Sequence, residues 1–130
     1  MGQHGRIAEH AVKRITQDAL APEGAWAVMA AELYSGTPAL QERGCGRSAF
    51  LGLCAAGVVR GVDASDCADA KKDQDYALRA LKILNEDPTL AHDQDTLWRL
   101  VTEGRTIRHN GQMDVVCTLF RADLLTDGEA

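Results

Sequence analysis

Two cysteines bracket the stretch GCGRSAFLGLCAAG, residues 44–57, which opens on alternating glycines. Phosphate chemistry is the first thing such a pattern suggests. A Walker-type loop needs Gly-Lys-Ser/Thr, so that an ammonium reaches the phosphates and a hydroxyl holds magnesium; Gly46-Arg47-Ser48 offers a guanidinium and no preceding strand. A phosphatase-type loop needs arginine six positions after the cysteine, where this chain has Leu51. A weaker chemistry survives both failures. Gly44, Gly46, Arg47 and Ser48 surround the start of a helix, where free N–H groups and the helix dipole attract anions. The same residues also make an ordinary glycine-rich turn capped by Ser48.

Thiol chemistry is the next candidate. A helix N-terminus and the nearby Arg47 would both favour a Cys45 thiolate. A nucleophile also needs a base, and nothing in the sequence brings His109 or another histidine to it. Cys45 and Cys54 do not pair with each other: on one helix, nine rises separate them by about 13 Å, against the ~7 Å a disulfide tolerates. The four cysteines, Cys45, Cys54, Cys67 and Cys117, lack the close spacing of a zinc knuckle, so no metal site is expected. Reduced, mostly buried thiols are the expectation.

A second polar cluster lies in RHNGQMDVV, residues 108–116. Asn110, Gln112 and Asp114 can converge on a ligand from a loop and a first helical turn, with Trp98 and Tyr76 as apolar walls. They also read as plain helix-start residues, with Asn110 as cap and Asp114 favouring the dipole. The basic residues Arg99, Arg105, Arg108 and His109, together with a helix running into LCAAGVVRGV, suggest a winged-helix DNA binder as an alternative. A recognition helix exposes polar and basic side chains to base edges, and this one has none beyond its first turn.

The elements that must position these residues read as helices from end to end. Ile7, Ala8, Ala11, Val12, Ile15 and Ala19 form the stripe of a first helix. Pro22 starts a second, whose apolar set is Ala25, Trp26, Met29, Ala30 and Leu33. Thr37-Pro38 signals a short turn before Gly44. From Arg47 to Arg60 no charge interrupts the chain, and residues 47–57 are expected as a central helix, apolar all round and therefore buried. Gly52 marks close approach of a neighbour, and Gly57 can end the helix so that VVRGV leaves as a short extended segment. Further helices carry Tyr76, Ala77, Ala80, Leu81 and Leu84; then Leu97, Trp98, Leu100 and Val101 after an Asp93 or Asp95 cap; then Met113, Val116, Cys117, Phe120 and Leu124 from Asn110 on. The fold class is all-α, a bundle of about six helices in one domain over residues 1–130.

Composition sets the outer limits. Apolar residues make up 45% of the 130 and charged residues 25%, enough to bury roughly two thirds of the unfolded surface. The net charge of −5 repels phosphate backbones, so nucleic acid is disfavoured as a partner. The longest uncharged run, Ser48 to Val59, is too short for a bilayer span, and charges stand where a signal peptide would be apolar. A cytoplasmic protein is expected.

Taken together, GCGRSAFLGLCAAGVVRGV, KKDQDYALRALKIL, DTLWRLV and NGQMDVVCTLF resemble a family of small bacterial domains of unknown function, over nearly the whole chain. The resemblance implies that Arg47, Phe50, Gly52, Cys54, Trp98, Gln112, Met113 and Asp114 belong to a shared pattern. Phe50, Cys54, Trp98 and Met113 suit a core; Arg47, Gln112 and Asp114 suit a site. The expected function is a non-catalytic module binding a protein or small ligand, without metal or cofactor, through Arg47, Ser48, Asn110, Gln112 and Asp114. A homodimer is compatible with this, since most soluble oligomers are twofold. The alternatives are the DNA binder and a small enzyme using Asp114 or Cys45.

Overall fold

Apolar stripes at helical spacing need partners, and here they find them in one another. The computed structural model describes residues 3–34, 45–62, 71–105 and 111–126. Over these run α1 (Gln3–Asp18), α2 (Pro22–Leu33), α3 (Cys45–Ala55), α4 (Lys71–Glu86), a 3-10 helix (Pro88–His92), α5 (Gln94–Val101) and α6 (Gln112–Arg121). The fold is all-α, as expected. Among the described residues there is no strand, only an isolated antiparallel bridge between Val59 and Leu125.

Two helices share the centre. On α3, Ala49, Phe50, Leu51, Leu53 and Cys54 are buried, as the uncharged run predicts. On α6 every residue from Gln112 to Leu119 is buried, including the polar Gln112, Asp114 and Thr118. The reason is position: α6 packs against α1, α3, α4, α5 and the 3-10 helix, so it has no free face at its start. Aromatic pairs tie the outer helices on. Trp26 of α2 lies 5.4 Å from Phe50 of α3 between ring centroids, and Tyr76 of α4 meets Trp98 of α5 edge-on at 5.2 Å.

Glycines set two of the crossings. A Cβ on Gly52 would fall 2.6 Å from the Cβ of Gln74, so α3 and α4 touch backbone to side chain, and Gln74 Nε2 donates to the Gly52 carbonyl at 2.9 Å. A Cβ on Gly5 would overlap the Thr118 hydroxyl and sit 2.8 Å from the Asp114 carbonyl, so α1 crosses α6 at a glycine.

Helix ends follow local rules. Asp93 caps α5, accepting from the Thr96 amide at 3.2 Å and the Thr96 hydroxyl at 2.7 Å, and these bonds hold its carboxyl below the usual range. The exit of α3 is a Schellman motif: Gly57 has φ +76°, Val58 N–H donates to the Leu53 carbonyl and Gly57 N–H to that of Cys54. The exit of α6 repeats it with Asp123 in the left-handed position, Leu124 N–H reaching the Leu119 carbonyl. The two exits emerge side by side, and Arg60 N–H to Leu124 O and Thr126 N–H to Val58 O close the bridge at 2.8 Å each.

Several boundaries differ from the sequence reading. The central helix runs Cys45–Ala55 rather than 47–57, so Ser48 is its fourth residue and not its cap. The extended segment shrinks to Val58 and Val59, because Gly61 at φ +77° turns the chain. Leu100, expected in the core, is 50% exposed, because α5 turns only Leu97, Trp98 and Val101 inward. The last helix starts at Gln112, with Gly111 at φ +94° as its cap residue instead of Asn110. The Thr37-Pro38 turn, Gly44 and Asn110 lie outside the described residues.

A pair of substitutions separates packing from propensity. Gly24, in the first turn of α2, has nothing within 4 Å of where a Cβ would stand, so Gly24→Ala should stabilise by about 0.5 kcal/mol. Gly52→Ala gains in propensity too but forces α3 off Gln74, and should destabilise. Urea midpoints of the two variants are expected to move in opposite directions.

Candidate functional site

Each helix that reaches the polar cluster does so with its first turn. Gly5 is the third residue of α1, and its N–H is one of the donors a helix start leaves without an intrahelical partner. It donates to Asp114 Oδ2 at 2.7 Å. Asp114, in the first turn of α6 and 5% exposed, therefore caps a different helix from its own. Gln94, the first residue of α5, donates from Nε2 to Asp114 Oδ1 at 3.3 Å. Gln112, 2% exposed, donates from Nε2 to Oδ1 of Asp73, in the first turn of α4, at 3.3 Å. The first turn of α3 joins through His4, whose imidazole fills the space beside Gly46 and Gly111; a Cβ on either glycine would strike the ring.

The electrostatics follow from these positions. Helix N-termini carry partial positive charge, and those of α1, α3, α4, α5 and α6 meet here. The carboxylates of Asp114 and Asp73 supply the opposite sign within hydrogen-bonding distance. His4 is lowered from its ordinary pKa, chiefly by burial, with Asp114 opposing. One turn along α6, burial pushes the Cys117 thiol up to about 12, Arg121 opposing and Asp114 adding to the rise, so Cys117 is a protonated core group at neutral pH.

Of the five residues singled out in the sequence, Gln112 and Asp114 come together, but turned inward. Both spend polar atoms on neighbouring helices, which makes their first role structural. Arg47 and Ser48 lie half-buried on the first and second turns of α3. Arg47 Nε is buried without a hydrogen-bond partner among the described residues. Asn110 falls outside those residues, as does the side chain of Cys45. Tyr76 and Trp98 are 6% and 7% exposed and pack on each other as core rather than walling a pocket. A cleft of about 270 Å³ between α1 and α6, lined by Glu9, Thr118, Arg121 and Ala122, includes none of the five.

Four participants escape a sequence reading: His4, Gly5, Asp73 and Gln94. No spacing links residue 5 to residue 114, and only the α1–α6 crossing brings them together. The His4 ring lies on Gly46, a placement that no spacing in the sequence foretells. The one available signal is glycine in a first helical turn, at Gly5 and Gly46, where a good helix former would otherwise serve.

A winged-helix reading needs an exposed helix where α3 is buried, and the described residues provide none there. No described helix is long and apolar enough to cross a membrane, and no described cluster of three His, Cys, Asp or Glu is placed to hold a metal. Against known proteins, the model of a family of unknown function (DUF6979) matches residues 1–126. No curated protein and no solved structure matches.

The Asp114 contacts have a measurable consequence. Asp114→Ala removes a charged acceptor and leaves the Gly5 N–H orphaned in a buried place, a loss of about 1.5–3 kcal/mol. Equilibrium unfolding of the variant should show it as a lower midpoint at unchanged m-value, and a midpoint equal to the parent's would deny Asp114 this role.

Proposed function

The chain belongs to the DUF6979 family, a family of unknown function, and on that premise we propose that it is a non-catalytic binding module. Its ligand or partner, a small molecule or protein, presents a carboxylate or phosphate to the start of α3. The observation that carries this reading is Arg47. Buried polar atoms are nearly always hydrogen-bonded, and an exception calls for a missing partner. Among the described residues there are two such exceptions, Arg47 Nε and Thr118 Oγ1, and Arg47 is the one that carries a charge; Gln112 and Asp114 already have internal partners.

The surroundings suit an anion. Arg47 is the third residue of α3, where free backbone N–H groups and the helix dipole add to the guanidinium. Ser48 follows it, half-buried, with a hydroxyl that can donate to the same group. The overall charge of −5 keeps long polyanions away, so the proposal is a single anionic group rather than a nucleic-acid backbone. No catalytic residue is assigned. Asp114, the carboxylate an enzyme reading would use, is engaged by the Gly5 N–H and the Gln94 amide.

Titration with inorganic phosphate, followed by NMR at the Arg47 Nε–H and the Gly46 to Ala49 amides, tests the proposal. Saturable shifts confined to this turn, and lost in Arg47→Gln, are the expected result. Shifts that stay linear, or that persist in Arg47→Gln, would overturn it.

A further inference from the structure

We propose that His4 is a pH-operated latch on the first turn of α1: neutral, it seals the junction of α1, α3 and α6, and protonated it loosens that junction. Its geometry is that of a wedge. A Cβ on Gly111 would lie 2.6 Å from His4 Cγ and Nδ1, and one on Gly46 would overlap Cδ2, so the ring occupies the volume two missing side chains leave free. The glycines admit the imidazole, and the imidazole fills the space between three helix starts.

Protonation has two effects at once. The first is repulsion, because a cation then stands among the positive ends of α1, α3 and α6. The second is competition for Asp114, whose Oδ2 is bound to the N–H of the very next residue, Gly5. An imidazolium beside that carboxylate offers it a charged partner in place of a neutral amide. Both act on the same turn of α1.

Among the described residues the charged groups around the ring are few. From α6 the facing group is Asp114, the one charge among the described residues that acts on His4. From α3 the contact is Gly46, with Arg47 next along the chain. From α2 the carboxylate paired with α1 is Glu32, held by Arg14 further along the helix. Gln94 of α5 and the Gly5 amide are uncharged. Attraction to Asp114 is outweighed by burial, and the neutral ring is the form the fold prefers.

The direction of the effect follows. A histidine whose folded pKa lies below the unfolded ~6.5 binds protons more readily in the unfolded chain. Its contribution is complete above pH ~6.5 and is lost as pH falls through that window to the folded value. Each pH unit between the two values corresponds to about tenfold in the folded-to-unfolded ratio.

NMR of the full chain from pH 8 to pH 4 tests the latch, reading the His4 imidazole and the exchange of the Gly5 amide in the same samples. The expected result is a His4 midpoint below ~6.5, with Gly5 protection falling as pH drops from ~6.5 to that midpoint, about tenfold for each unit between them. His4→Gln keeps a neutral polar side chain at this position and should hold Gly5 protection flat over that range. A His4 midpoint at or above ~6.5 would overturn the proposal, and so would a Gly5 amide indifferent to it. Should His4→Gln fail to fold, the parent titration alone still decides.

Discussion

A single acceptor, the Asp114 carboxylate, ties the start of the chain to its end. It takes the Gly5 N–H, 109 positions away in sequence, and the Gln94 amide from a third helix. A helix start always leaves donors without partners, and when that start is buried the donors must be met from outside. Here α6 meets one of them for α1. That fixes much else. Gly5 must be glycine, because Thr118 and the Asp114 carbonyl occupy the place of its side chain. Gly46 and Gly111 must be small, because His4 fills the gap beside them. With α6 pressed into this role, its polar first turn is buried and Gln112 turns to Asp73.

The arrangement explains why polar residues at the heart of the fold are a poor guide to a ligand. Gln and Asp near a helix start read as a site in one dimension, but in three dimensions Gln112 and Asp114 hold helices together. Among the described residues two buried polar atoms lack a hydrogen-bond partner, Arg47 Nε and Thr118 Oγ1. The proposed anion site uses the first, on a helix whose first turn carries no acidic residue of its own.

How much of this is legible in the sequence varies with the range of the forces involved. A central helix with Phe50 and Leu53 buried, the close approach at Gly52, the Pro22 start and a cap at Asp93 or Asp95 follow from local pattern; the structure has all four, with the helix two residues earlier and Asp93 as the cap. The likeness to a family of unknown function extends over nearly the whole chain. The features that escape the sequence depend on distant partners or on where a helix begins. Ser48 reads as a cap only if the preceding turn runs to Arg47, yet α3 begins at Cys45. Leu100 fits a helical stripe but faces outward, since α5 turns only Leu97, Trp98 and Val101 toward α4, α6 and the 3-10 helix. His4 reads as one charge in a basic N-terminal stretch, and only the crossing of α1 with α3 and α6 makes it a wedge.

Native-state hydrogen exchange at the Gly5 amide, in the unmodified protein near neutral pH, tests the central claim most directly. In an ordinary first turn this amide exchanges by fraying, since no intrahelical bond holds it. If Asp114 secures it as described, Gly5 should exchange as slowly as the core amides of α3 and α6, through global unfolding. Exchange at the rate of a frayed helix end would contradict the account, and with it the view that the first turn of α6 holds the start of α1 in place.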